Sequence, residues 1–144
     1  MTGQVIHIRA GAAGSGVVEG ITVDGITTGA CMQVIFLAMC LGYDVTHPCP
    51  NNTYNLPAGT QLNAYRNLTF RNMRTQYASE RFLNFFGVTG YEAISNIVLE
   101  HIFVEAFNNA TPSALAPVQC VGTANVSSHD VLLASTPLPN VCRQ

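Results

Sequence analysis

The chain contains no lysine: its six basic residues are all arginine, set against eight acids in 144 residues. Charge of either sign is scarce, 10% of the chain where an average soluble protein carries about 25%. With 48% hydrophobic residues beside so little charge, this is not the composition of an intrinsically disordered chain. The net charge of −2 and the lack of any basic run argue against a nucleic-acid partner, because nothing would neutralise a phosphate backbone. Long apolar runs are missing as well. The strongest, Val34 to Leu41, is far shorter than the roughly 20 residues of a membrane-crossing helix, so no membrane partner is expected. The opening MTGQVIHIRAGAAGSG has no apolar segment of the kind a secretory signal needs.

Cysteine is present five times, at Cys31, Cys40, Cys49, Cys120 and Cys142, but never as C-x-x-C, and the histidine close by is His47 in H-P-C. No zinc template is met, and no metal or cofactor is expected. Four segments fit the N-x-Ser/Thr acceptor pattern, at Asn51, Asn67, Asn109 and Asn125. Four in one short chain point to a secretory history, and the absent signal then to a missing amino-terminal part. In an oxidising compartment some cysteines pair, which leaves at least one thiol over, and Cys40 within VIFLAMC reads as a small buried hydrophobe.

Three segments align without gaps: VEGITVDGI from Val18, YRNLTFRNM from Tyr65 and ISNIVLEHI from Ile94. Ile21, Val23 and Ile26 are matched by Leu68, Phe70 and Met73, then by Ile97, Leu99 and Ile102. Apolar residues at i and i+2 give the period of a half-buried strand. The copies lie 47 and then 29 residues apart, and the longer interval contains HPCPNNTYNLPAGTQLN, residues 47–63, a loop by composition. Without that loop the period falls at about 25 to 30 residues, in the range of solenoids. A helix competes over GYEAISNIVLEHIFVEAFNN, where Ile94, Ile97, Val98 and Ile102 also share one helical face. The gapless match to two copies rich in Thr, Val and Gly favours a strand.

The stretch IHIRAGAAGSGVVEGITVDGI resembles a segment of glycoside hydrolase family 28, the polygalacturonases, in which an Arg-Ile-Lys motif precedes a Gly-rich turn and a strand. His7-Ile8-Arg9 stands at that motif and Gly14-Ser15-Gly16 at the turn. VIFLAMCLGYDV resembles the next strand, with Tyr43 at the place of an active-site tyrosine, and YRNLTFRNM and ISNIVLEHI resemble the last rungs. QCVGTANVSSHDVLLASTPLPNVC resembles the C-terminal cap closed by two cysteines. The resemblance implies an all-β fold, an incomplete right-handed parallel β-helix, with rungs over 1–117 and a cap over 118–144. It implies a Cys120–Cys142 disulfide, which the Pro-rich tail STPLPNVC also calls for, since it has few apolar residues to hold it.

By the same resemblance the complete protein would hydrolyse α-1,4-galacturonosyl bonds of pectin with inversion, as a monomer at the cell wall outside the cell. The family's Asn-x-Asp, Asp-Asp and Gly-His-Gly motifs are absent, so the acid and base of inverting hydrolysis have no counterpart and this chain by itself is expected to be inactive. What remains is part of a clamp for an acidic polysaccharide. Arg9 stands at the Lys place and His7 at the Arg place, and their i, i+2 spacing puts both on one face of a strand. The plain alternatives are a solvated charge for Arg9, a surface residue for His7 and a strand-end aromatic for Tyr43. The alternative function is a non-catalytic β-helix module that binds such a polysaccharide. Glu100 and His101, adjacent in a strand, are expected on opposite faces, and His129-Asp130 is expected to be solvated in the cap.

Overall fold

The computed structural model describes residues 3–11, 14–40, 59–107, 117–138 and 140–142. Among them there is no helix. The strands are β1 (Gln4–Gly11), β2 (Val17–Glu19), β3 (Thr22–Cys40), β4 (Ala64–Phe86), β5 (Ile94–Phe107), β6 (Val118–Val121), β7 (Thr123–Leu133) and β8 (Thr136–Pro137). They form one eight-stranded sheet in the order β1-β3-β4-β5-β7-β8, with β2 and β6 each also paired to β4. Every pairing is parallel except that of β7 with β8.

The register follows the sequence repeat. Thr22 stands beside Thr69, Leu68 beside Ile97, and Ile97 beside Val126. The segment GYEAISNIVLEHIFVEAFNN thus supplies a strand over Ile94–Phe107. A fourth copy follows: TANVSSHDV from Thr123, placed in the cap by the sequence comparison, pairs in parallel with β5 over Ile94–Val104. The sequence pattern hides it, because Thr123 and Ser128 stand at two of the apolar positions, where β5 has Ile94 and Leu99.

Two columns of left-handed residues bend these strands. One runs through Gly20 (φ 70°), Asn67 (56°), Asn96 (54°) and Asn125 (53°), the other through Gly25 (80°), Asn72 (53°), His101 (51°) and Asp130 (54°). Only Gly adopts this conformation without cost, and Asn, Asp and His are the side chains that tolerate it best, which explains the residue types at both columns. At such a bend strict alternation fails: Arg71 Nε and the adjacent Asn72 Nδ2 both donate to the Asp24 carboxylate, each at 2.8 Å. Glu100 and His101 hold the equivalent places on β5. The rule that separates neighbouring residues onto opposite faces does not apply to them.

The interior is built from the apolar positions. Leu68, Phe70, Met73, Ile97, Leu99 and Ile102 are fully buried, joined by Ile35, Leu37, Leu83 and Phe85 from the second halves of β3 and β4. Tyr65, fully buried at the start of β4, donates its hydroxyl to the Ala38 carbonyl near the end of β3 at 2.8 Å, tying two distant parts of the sheet together. Burial pushes its phenol up to about 12. Ile21 keeps its place in the register, with Thr69 N donating to Ile21 O at 2.9 Å, but its side chain is 39% exposed. The expected inward row therefore begins at Leu68, because no strand covers Ile21 from the other side among the described residues.

Three arginines join neighbouring strands. Arg66 reaches Glu19 at 2.7 Å, Arg71 reaches Asp24 at 2.8 Å and Arg74 reaches Glu105 at 2.5 Å, each through Nε. A planar guanidinium suits this placement, since it can bond a carboxylate on the next strand in a fixed orientation. Cys120 and Cys142 form a disulfide with Cα atoms 5.6 Å apart, while Cys31 is buried and free. Burial pushes the Cys31 thiol up, which keeps it protonated and unreactive. The Cys40 side chain lies outside the described residues, as do Cys49 and most of the loop at 47–63.

Candidate functional site

The candidate clamp starts from β1, whose exposed positions alternate through His7, Arg9 and Gly11. His7 and Arg9 share one face of this strand. His7 stands beside Phe36 of β3 and stacks on it, with ring centroids 4.7 Å apart and planes 15° from parallel. Partial burial of the imidazole, and secondly the positive charge of Arg9, push His7 below the ordinary histidine value. The pair therefore offers one permanent cation and one neutral ring at pH 7, the ring presenting hydrogen-bonding nitrogens rather than charge. Tyr43 lies outside the described residues.

The row continues inward from His7 through Phe36 and Asn84 to Gln119. Sequence reasoning missed Phe36 and Asn84, since only strand register aligns them with His7. Asn84 is 8% exposed. Its Nδ2 donates to Gln33 Oε1 at 3.2 Å, and Gln33 Nε2 donates to Glu80 Oε2 at 3.1 Å. Its Oδ1 is a buried acceptor with no hydrogen-bond partner among the described residues. Buried polar atoms are ordinarily satisfied, so this oxygen is an exception beside the hydrogen-bonded Asn84–Gln33 pair.

The Gly-rich turn after β1 is held by Asn63. Its Nδ2 donates to the Gly11 carbonyl at 2.7 Å, and Gly16 N donates to its Oδ1 at 2.8 Å. The same amide fills the space where a side chain on Gly14 would start, so that position accepts only glycine. Asn63 thus bridges Gly11 at the end of β1 and Gly16 just before β2.

No family model, curated protein or solved structure matches the chain.

Two further surface features arise from the bends. Asn67, Asn96 and Asn125 line a shallow groove of about 610 Å³ together with Thr69, Val98 and Ser127, and Asn125 Nδ2 donates to Asn96 Oδ1 at 3.2 Å. Two of the four acceptor triplets therefore coincide with a structural requirement, Asn at the left-handed bend and an outward residue two places on. Asn51 and Asn109 lie outside the described residues. On the second column His101 Nδ1 is 2.9 Å from Asp130 Oδ2, and the His101 and His129 rings meet edge to face with centroids 5.6 Å apart. His129 and Asp130 are exposed, as expected, and Asp130 also has a partner on the neighbouring strand, 29 positions away in sequence.

Proposed function

We propose that the sheet is wound as a right-handed parallel β-helix and that the chain is the C-terminal portion of a polygalacturonase-like hydrolase. In this reading it grips galacturonate through the exposed face of β1, outside the cell. The observation that carries the reading is the joint placement of His7 and Arg9 on that face, with His7 seated on Phe36. Arg9 would pair with a sugar carboxylate by charge-assisted hydrogen bonds, and the neutral His7 would hydrogen-bond a neighbouring hydroxyl. The winding is supported by the constant parallel register of four repeat copies, by the two columns of bends and by the Tyr65 bond to Ala38.

Hydrolysis is a property of the complete enzyme in this proposal. Glu19, Asp24 and Glu105 are each engaged by an arginine, which leaves them poorly suited to the acid and base roles that inversion requires. The same observation favours the second reading, a non-catalytic module that binds an acidic polysaccharide. Titration of the chain with trigalacturonate, followed by backbone NMR, tests the shared grip: shifts should centre on His7, Arg9 and Phe36 and vanish in Arg9→Ala. Equal binding of a neutral galactose trimer would overturn it. The coding sequence upstream of Met1 separates the two readings: in-frame Asn-x-Asp, Asp-Asp and Gly-His-Gly motifs would favour the enzyme, a stop codon the module.

A further inference from the structure

The face of β1 that carries His7 and Arg9 is held outward by the other face of the same strand. Ile6 and Ile8 pair with the fully buried Ile35 and Leu37 and pack against the core, so the strand cannot roll to take its histidine inside. The imidazole stays at the surface in both of its protonation states. From β3 it faces Phe36, on which it stacks, with Val34 and Ala38 two residues to either side in that strand. Behind Phe36 in the register stands Asn84 of β4, and along β1 the same face carries Val5 and Arg9. Arg9 is the one charge in this set. Among the described residues no carboxylate pairs with the ring and neither ring nitrogen has a hydrogen-bond partner.

Partial burial and the charge of Arg9 both disfavour the proton, which leaves the ring neutral at pH 7. The Phe36 ring is at the same time a good seat for a cation, because an aromatic face attracts positive charge. Protonation therefore adds charge to this face without dislodging the imidazole. An anion shifts the balance. A carboxylate laid across His7 and Arg9 relieves the repulsion between the two cations and gives the imidazolium a charge-assisted hydrogen bond. A ligand that favours the protonated ring must, by linkage, bind more tightly where the ring is protonated. A sugar carboxyl with an ordinary value of about 3.5 is still ionised well below the histidine range, so a window exists in which His7 is charged and the ligand remains an anion.

We propose that the β1 face is a grip tightened by acid: protonation of His7 converts it from a one-cation to a two-cation site and raises its affinity for a polyuronate as pH falls from neutral. This inference rests on the galacturonate reading above and adds its regulation. His101 and His129 sit on β5 and β7, which do not pair with β1, and take no part in it.

Isothermal titration of the full chain with trigalacturonate at pH 7.5 and pH 4.5 tests it, beside NMR titration of the His7 ring with and without the sugar. Affinity should rise by about three- to tenfold at the lower pH, as expected for one added ion pair at a partly exposed site, and the His7 titration midpoint should move up when the sugar binds. His7→Gln should flatten the affinity profile. The midpoint is read in the unaltered chain above pH 5, so it decides the matter even where the variant misfolds or stronger acid loosens the fold. Equal affinity at both pH values with an unmoved midpoint, or a rise that persists in a folded His7→Gln, would overturn this inference and leave the galacturonate reading standing. Absence of binding at either pH, or equal binding of a neutral galactose trimer, would overturn both.

Discussion

The two ends of the sheet are built from the same repeat and finished differently. At the β7 end the chain turns back on itself: Thr136 and Pro137 pair with Leu133 and Leu132, Ser128 Oγ donates to Leu138 O at 3.3 Å, and a disulfide ties Cys142 to Cys120. Val131 and Leu133 are buried there. At the Val17–Ala30 end nothing comparable lies over the strand among the described residues, and the equivalent Ile26 and Thr28 are only half-buried. One repeat pattern therefore does not fix how deeply its apolar positions are buried. Depth depends on whether a strand has a neighbour on each side.

The largest test of this contrast compares equivalent residues. Leu68→Ala, in the middle of the sheet, should cost about 2–5 kcal/mol in chemical denaturation, while Ile21→Ala, one strand away at the same register, should cost less than about 1 kcal/mol. Similar losses at both positions would mean that the open edge is covered in solution.

Next in size is the tether of the closed end. Replacing Cys120 and Cys142 by serine should cost about 2–4 kcal/mol. Hydrogen exchange should then quicken in β7 and β8, while β2 keeps its rates. Uniform quickening along the sheet would show that the tail supports the whole molecule and not one end.

A smaller effect belongs to the bends that both ends share. Asn96→Ala places a Cβ-bearing residue without a compensating amide at φ 54° and removes the acceptor used by Asn125, so it should cost about 1–2 kcal/mol, most of which Asn96→Gly should restore. Thermal melts of the two variants make the comparison. If glycine is no better than alanine there, the amide ladder, and not the backbone conformation, is what Asn96 supplies.

The subtlest contrast is with pH. Hydrogen bonds from Asn72 and then Arg71 hold the Asp24 carboxyl below the usual carboxylate range, and burial followed by Arg9 holds His7 below the usual histidine value. Both groups have folded values lower than their unfolded ones. Their contributions are complete above the unfolded values and are lost as pH falls through the folded ones, His7 below about 6.5 and Asp24 below about 4. Both sit on β1 or β3, so acid should loosen the open end first. Denaturation midpoints measured from pH 7 to 2.5 should lose the lower step in Asp24→Asn. Parallel profiles for the two proteins would place acid sensitivity elsewhere.

Much of the strand register is legible in the sequence, because hydrophobic alternation repeats with matched spacing and strands that pair in parallel need equivalent residues at equivalent places. The same alternation put His7 and Arg9 on one face of β1. It misjudged Glu100 and His101, because alternation assumes an unbroken strand and a left-handed residue resets it. The bend columns have a faint sequence signature: Gly20 and Gly25, Asn67 and Asn72, Asn96 and His101, and Asn125 and Asp130 are each five residues apart. Their identities vary among four residue types, and only a common backbone conformation unites them.

Sequence by itself determined that this chain makes strands, where three of the repeats lie and which residues could carry a charge on an exposed face. Those properties are local, set by side-chain period and chemical type. Tertiary structure alone decided which residues meet: His7 on Phe36, Asn84 beside Gln33, His101 on Asp130 and Tyr65 across to Ala38. It also decided that Leu68 is buried and Ile21 is not, since burial belongs to the neighbours a strand acquires and no pattern within the strand can specify them.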